Sequence, residues 1–283
     1  MPRELPSFDL VVATVGRTDE PARFLESVEA QDYPRVRVLL VDQNDDGRLE
    51  PVLHASPLEI VRLRSERGLS RARNVALAQV EADVVAFPDD DCVYPPGLLH
   101  LLGGRFSERP ELDGVTGRAL GFDGSVSPSW RPDAAPLRRD DLWNRAISFT
   151  IFLRRAVIES VGSFDEELGL GSGRPWHSAE EIDFLVRAVD RGARIEYDPD
   201  LIVRHDVREN TPAIGLRDGA SVGYILRKHG YSPTVVGRML LRPVGGTLRS
   251  LARLDAGGAR YQLATLRGRL RGYLGARRSK ISA

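Results

Sequence analysis

The stretch Asp83-Val84-Val85-Ala86-Phe87-Pro88-Asp89-Asp90-Asp91 decides the reading of this chain. Its apolar half reads as a buried strand, and its end delivers three like charges to one point. In open α/β sheets the carboxyl edge of the strands is where ligands bind. Adjacent carboxylates repel one another, so their natural partner is a hard cation held by oxygen ligands. A divalent ion there can in turn hold a diphosphate. The plainer reading of the same residues is a solvated acidic turn.

Working outward, the first 120 residues alternate strand and helix patterns. Phe8 to Val15 is apolar and β-branched, and Pro21 to Gln31 is apolar at helical spacing. Val36 to Val41 is a second strand, ending in Asp42. Leu58 to Leu63 alternates like a strand. Ser70 reads as the N-cap of a helix running to about Val80. Pro95 and Pro96 read as the opening of another helix. Such alternation predicts an α/β fold with a mostly parallel sheet flanked by helices.

Beyond it, Gly121 to Asp141 is rich in Gly, Ser, Pro and charge, and reads as a long surface loop of the kind that covers a site. Ile147 to Leu153 is apolar. Gly169 to Gly173 is a glycine-rich loop, without the remaining glycine of a dinucleotide fingerprint. A helix is expected from about Ala179 to Arg191. Strands are expected at Arg194 to Tyr197 and Leu201 to Arg204, and helices after Val207.

Composition narrows the class. The chain has 283 residues, 42% hydrophobic and 28% charged, enough for a sizeable core. No apolar run is long enough for a transmembrane helix. Met1 to Pro6 lacks the apolar core of a secretion signal. Cys92 is the only cysteine, so an internal disulfide is excluded and a cytoplasmic protein is expected. The formal net charge of zero hides an asymmetry. Residues 207–283 hold 15 of the 40 Lys+Arg and 3 of the 40 Asp+Glu, about +12, leaving about −12 for residues 1–206. A basic tail faces an anionic partner. Two partners fit: a membrane surface, making the protein peripheral on the inner face, or the acidic body itself. Nucleic acid is not expected. On the membrane reading, Val235, Val236, Met239 and Leu240 supply the apolar residues at helical spacing.

Several residues could carry chemistry. Asp42 closes its strand as Asp89 closes a later one, so the two could share a cleft. Alternatively Asp42 caps the turn Asn44-Asp45-Asp46-Gly47. In Ser178-Ala179-Glu180-Glu181-Ile182-Asp183, a stripe of Ile182, Leu185, Val186 and Val189 puts Glu181 on its rim and Glu180 opposite. Glu181 can thus face a cleft as a general base, or close a capping box with Ser178. His205 at a strand end is a metal ligand, a phosphate contact or a structural residue. Trp176 is an acceptor platform or a partly buried aromatic.

Five stretches, in order, resemble the family 2 glycosyltransferases, which have the GT-A fold. They are Val11-Val12-Ala13-Thr14-Val15-Gly16-Arg17 with Gln31-Asp32-Tyr33-Pro34; Val38-Leu39-Leu40-Val41-Asp42; Arg67-Gly68-Leu69-Ser70-Arg71-Ala72-Arg73-Asn74; Phe87-Pro88-Asp89-Asp90-Asp91, like the family's D-x-D motif; and Gly162-Ser163-Phe164-Asp165-Glu166 with Glu180-Glu181-Ile182-Asp183. The likeness covers roughly residues 8–206. The family usually has Glu-Asp where this chain has Glu180-Glu181, and often glycine where it has Ala179.

The resemblance implies a GT-A domain at 1–206; the helical pattern and basic excess of 207–283, outside the likeness, read as a basic helical extension. It implies inverting transfer of a sugar from a nucleotide-diphosphate sugar to an acceptor hydroxyl, on a glycan or lipid-linked acceptor, in surface polysaccharide or glycolipid assembly. Thr14, Arg17, Asp42, Arg73, Asn74, Asp89 and Asp90 are the implied nucleotide-sugar contacts. Asp91, with Asp89 and His205, is the implied site for Mg²⁺ or Mn²⁺. Glu181 is the implied base. The alternatives are a nucleotidyltransferase, for which Ala13 to Arg17 supplies no glycine-rich phosphate loop, and a non-catalytic sugar-binding relative.

Overall fold

The computed structural model describes residues 5–127, 129–206 and 209–276. The chain divides into two compact units, Met1–Phe164 with Phe184–Val207, and Asp165–Asp183 with Arg208–Ala283. The second unit therefore takes in residues 165–183 as well as the basic tail.

The first unit is built on an eight-stranded sheet. Its strands are β1 (Phe8–Thr14), β2 (Val36–Asp42), β3 (Glu59–Arg64), β4 (Val84–Ala86), β5 (Gly114–Leu120), β6 (Ala135–Pro136), β7 (Ile151–Arg154) and β8 (Ile195–Arg204), in the order β3-β2-β1-β4-β7-β5-β8-β6. β3, β2, β1 and β4 are mutually parallel, β5 and β8 are parallel, and β7 and β6 run antiparallel to their neighbours. The expected α/β class holds. Six helices belong to this alternation: α1 (Asp19–Glu29), α2 (Glu50–Ala55), α3 (Leu69–Leu77), α4 (Leu98–Glu108), α5 (Arg155–Val161) and α6 (Glu180–Asp190), the last crossing the boundary between the units.

The core explains the sheet. Leu10, Val12, Val38, Leu40, Val84 and Ala86 are fully buried, as near-continuous apolar runs in parallel strands must be. From β1 the chain crosses to β2 on one side and later to β4 on the other. That reversal leaves a crevice beyond the carboxyl ends of β1 and β4, the usual ligand position in open sheets. The register pairs Thr14 with Asp42, and both lie on this edge.

Local details depart from the expectations. Ser70 is not a cap: α3 starts from Gly68, whose φ of 140° only glycine adopts freely, and Ser70 is buried in the first turn. Pro95 and Pro96 precede α4, which starts after Gly97 at φ 79°. The strands expected at 194–197 and 201–204 are one continuous strand, β8, with a register shift opposite Thr116 and Arg118. The Gly121–Asp141 loop is pinned to the sheet. It contributes β6 to the edge of β8, and the buried Arg145 guanidinium donates to the Asp133 carbonyl and carboxylate.

The second unit holds α7 (Pro212–Lys228), α8 (Pro233–Ala252) and α9 (Ala256–Gly275), capped by Thr211, Ser232 and Asp255. α7 and α9 meet through glycines. Gly215, Gly219 and Gly223 recur every four residues on α7, and Gly268 and Gly272 face them from α9. A Cβ on Gly223 would lie 2.0 Å from the Arg269 carbonyl oxygen, and one on Gly272 1.9 Å from that of Ala220. The backbones are thus in direct contact, as small residues four apart permit. Gly272→Ala should therefore cost about 1–3 kcal/mol through overpacking. The expected drop in the thermal midpoint is about 2–4 °C per kcal/mol. An unchanged melting curve would show that the helices can separate without cost.

Candidate active site at the β1–β4 edge

Strand β4 carries the chain through Phe87 and Pro88 to Asp89, Asp90 and Asp91 at the switch point. A turn closed by the Cys92 amide donating to the Asp89 carbonyl brings Val93 alongside the end of β8. Val93 and Arg204 exchange both backbone hydrogen bonds, at 2.8 and 3.0 Å. This bridge sets His205 directly over the aspartates. Its ring stacks on Phe149, centroids 4.6 Å apart and planes 3° apart, and is almost wholly buried.

One carboxylate oxygen each from Asp89 and Asp91 and one nitrogen of His205 lie within 4.8 Å of one another. His205 Nε2 is 3.0 Å from Asp91 Oδ1 and 3.9 Å from Asp89 Oδ2. Yet Nε2 is a buried atom without a hydrogen bond, because the 3.0 Å approach is off the N–H line. The other nitrogen, Nδ1, is 2.7 Å from the Asp206 carbonyl, which can only accept. Nδ1 therefore carries hydrogen, and in the neutral ring Nε2 presents its lone pair to the carboxylates. Two carboxylate oxygens and one imidazole nitrogen are a donor set that a divalent cation can take. The residues fit the ion that the sequence implies.

The charges around the cluster are balanced by neighbours. Arg17 Nη1 donates to Asp90 Oδ1 and Asp91 Oδ2, both at 2.7 Å. Burial would raise the pKa of Asp91, but His205 and Arg17 outweigh it and hold the carboxyl well below the usual range. Asp90 is more deeply buried. That burial, helped by Asp91 and Asp89, pushes it up to about 6 against the opposing pull of Thr14 and Arg17. For His205, burial works downward, and the attraction of the neighbouring Asp91 and Asp89 carboxylates more than offsets it. A divalent cation would reverse that balance and favour the neutral ring. Asp89 accepts from Ser148 Oγ at 3.1 Å and lies 3.4 Å from Arg73 Nη2.

Not every expected contact faces the crevice. Arg73 is buried, with its guanidinium over the rings of Phe87 and Phe164. Asn74 clamps the chain at Phe164: its amide donates to the Phe164 carbonyl at 3.0 Å and accepts from the Phe164 amide at 2.7 Å. Asp42 is fully buried, and both its oxygens are engaged. Oδ1 accepts from the Asn44 amide and side chain, and Oδ2 from Arg62, with Arg64 at 3.0 Å. The Asn44 bonds are those of the turn-capping alternative. Ser148 and Phe149 escaped sequence reasoning; they lie in or beside an apolar run whose pattern signals a strand and nothing more.

Glu181 belongs to the second unit, in the first turn of α6. It is half-buried, whereas Glu180 is 4% exposed. The helical wheel put Glu180 on a solvent face, but α6 buries Ile182, Asp183, Phe184, Leu185, Val186 and Ala188, so its first two turns have almost no such face. Ser178 is not the cap of α6. Its hydroxyl donates to Asp218 or Ser221, and the Ala179 carbonyl accepts the first helical bond, from Asp183. The Asp183 carboxylate, fully buried, anchors this turn to Lys228 Nζ at 2.6 Å and His229 Nε2 at 2.7 Å. Trp176 stacks on Tyr224, with centroids 4.7 Å apart.

The strand order and the acidic edge are those of a GT-A fold. Mannosyltransferase PcManGT from Pyrobaculum calidifontis, solved in complex with GDP-Man and Mn²⁺, superimposes with a TM-score of 0.66 at 16% identity, over 95% of this chain and 88% of that one. S. aureus TarS 1-349 superimposes with a TM-score of 0.57 at 18% identity, over 92% and 90%. The model of the family Glycosyl transferase family 2 matches residues 9–163, and the chain belongs to that family. A pre-mycofactocin glycosyltransferase of Mycobacterium tuberculosis is 30% identical over 191 residues, which are 61% of this chain and 38% of that protein. Glycosyltransferase AglE of Haloferax volcanii is 25% identical over 221 residues, 74% of this chain and 69% of that one. The chain thus spans well under half the length of the mycobacterial relative.

Two outcomes follow. Calorimetry should detect Mn²⁺ binding that His205→Ala and Asp91→Asn each weaken by at least about tenfold, the low end for lost ligands or their supports; equal binding by all three proteins would remove the cluster as the cation site. Ala179 has φ 68°, a left-handed conformation that costs a Cβ-bearing residue about 1–2 kcal/mol. Glycine, frequent here in the family, adopts it freely. Ala179→Gly should leave the melting midpoint unchanged or raise it, unlike most alanine-to-glycine changes in ordered segments. A clear loss would mean that the strain is not relieved there.

Proposed function

We propose that the protein is an inverting, metal-dependent glycosyltransferase that moves a sugar from a nucleotide-diphosphate sugar to an acceptor hydroxyl on a glycan or lipid-linked acceptor, in surface polysaccharide or glycolipid assembly. The observation that carries the reading is the Asp89–Asp91–His205 cluster at the switch point of a family 2 sheet, with the buried Nε2 unpartnered by hydrogen. PcManGT, bound to GDP-Man and Mn²⁺, is a fold neighbour that supports the donor class.

Asp91, Asp89 and His205 would hold Mg²⁺ or Mn²⁺, which supplies Lewis-acid stabilisation of the charge that develops on the departing diphosphate. Arg17 bridges Asp90 and Asp91 and is partly exposed, so its charge is available on the same side. Thr14 and Arg17 line the end of β1, where the donor is expected. Arg73, Asn74 and Asp42 serve the donor from behind, by holding Asp89, the chain at Phe164 and the turn after β2. Glu181 takes the proton of the acceptor hydroxyl as its oxygen attacks the anomeric carbon; the C–O bond to the diphosphate breaks on the opposite face. Glu181 is the more accessible of the adjacent glutamates, as a base that meets an acceptor must be.

The test is a panel of nucleotide sugars, assayed for transfer and hydrolysis with Mn²⁺ or Mg²⁺. Activity is expected to vanish with chelator and in Asp91→Ala. Glu181→Gln should lower turnover by at least about 100-fold with donor binding largely kept. Glu180→Gln should lower turnover less, and its burial makes a loss of stability the main effect. Full activity in chelator, or the reverse ranking of the two glutamates, would overturn this assignment.

A further inference from the structure

Of the four apolar residues that the sequence offers to a membrane, Leu240 is half-buried and the other three are not available for it. Val235, Val236 and Met239 are all buried, and they form the packing face of α8 with Pro243 and Thr247. α8 nevertheless has a second apolar face. Leu241, Val244, Leu248 and Leu251 fall at i, i+3, i+7 and i+10, one stripe along the helix. Leu241 is 67% exposed, Leu248 64% and Leu251 55%. On a wheel of about 100° per residue this stripe lies well away from the buried one, and Arg238, Arg242 and Arg249 fill a sector beside it. α9 repeats the arrangement on the side opposite its glycines. Leu263, Leu270 and Leu274 are exposed, the last at 81%, and Arg260, Arg267 and Arg271 run alongside. α8 and α9 together contain seven arginines and no aspartate or glutamate.

We infer that these outer faces of α8 and α9 form a surface that lies on an anionic phospholipid bilayer. Exposed leucine stripes of this extent are unusual on a soluble surface and mark an interaction site. The charge settles the occupant. A second copy of this surface would set arginines against arginines. A nucleic acid would use the arginines but leave the leucines in water. A bilayer interface takes both: leucine side chains enter the acyl boundary while the guanidinium groups, on their flexible stems, reach the phosphates. No helix among the described residues is long and apolar enough to cross a membrane, so the contact is interfacial. The inference stands apart from the proposed reaction. Together the two would bring the transferase to a lipid-linked acceptor.

Sedimentation of the full-length protein with vesicles tests it, with no sugar donor or divalent cation present, so that failure here leaves the transferase reading untouched. The protein should pellet with vesicles of phosphatidylcholine and phosphatidylglycerol and stay in solution with phosphatidylcholine alone. High salt should weaken the binding, since the Debye length falls to about 3 Å near 1 M. The double substitution Leu241→Glu with Leu248→Glu should lower vesicle affinity by at least about tenfold, below what burying two leucines can provide. Both sites are more than half exposed, and an unchanged circular-dichroism spectrum and melting midpoint will show that the fold is kept. Arg249→Gln with Arg267→Gln should lower affinity as well, by about fivefold per charge. The proposal is overturned if the protein stays in solution with anionic vesicles at low salt, if the leucine variant binds them as tightly, or if the same leucines instead hold a concentration-dependent dimer.

Discussion

Three carboxylates delivered by one buried strand to one point must be neutralised, and the first unit is arranged around that constraint. Arg17 comes from the loop after β1, Ser148 from the turn before β7, Arg73 from α3 and His205 from the end of β8. Each lies far from the aspartates in the chain. Like charges at this spacing raise one another's proton affinity, and Asp90 shows it, being pushed up to about 6 by burial and its neighbours. Asp91 goes the other way because it alone meets both His205 and Arg17. The cluster therefore separates into a carboxylate kept ionised and one shielded within the protein.

His205 illustrates how the surroundings of a single side chain fix its placement. The Val93–Arg204 bridge fixes its backbone, Phe149 fixes its ring plane, and the Asp206 carbonyl fixes its tautomer. What remains is one nitrogen, buried, aimed among carboxylates and without a hydrogen bond. Such an atom costs roughly 1–3 kcal/mol when left unsatisfied, so its retention fits a ligand role better than a structural one.

In the second unit the same economy of space appears as helix contact. The glycines of α7 and α9 let backbones touch, which leaves α8 and the far side of α9 to carry leucine and arginine outward. The basic charge of the tail is thus not spread evenly. Six of its arginines, Arg238, Arg242, Arg249, Arg260, Arg267 and Arg271, run beside the leucines on two helices that contain no acidic residue.

The parallel strands β1 to β4 and the acidic edge were legible in the sequence, because a buried parallel strand is a continuous apolar run and a charge at its end has only one edge to occupy; the order of the sheet and the strands β5 and β6 were not. Family membership was legible as well, from short motifs in the right order. Positions set by long-range packing were not. Glu180 is amphipathically placed by its own helix, yet α6 is covered nearly all round, and a wheel drawn from one helix cannot know what surrounds it. Asp42 looks open at a strand end but is claimed by Arg62 and Arg64 from the neighbouring strand. The tail shows the limit best: its sequence holds two apolar faces on α8, and only packing decides that Val235, Val236 and Met239 turn inward while Leu241, Leu248 and Leu251 stay out. Periodicity reports that a face exists; which face is covered depends on neighbours that are distant in the chain.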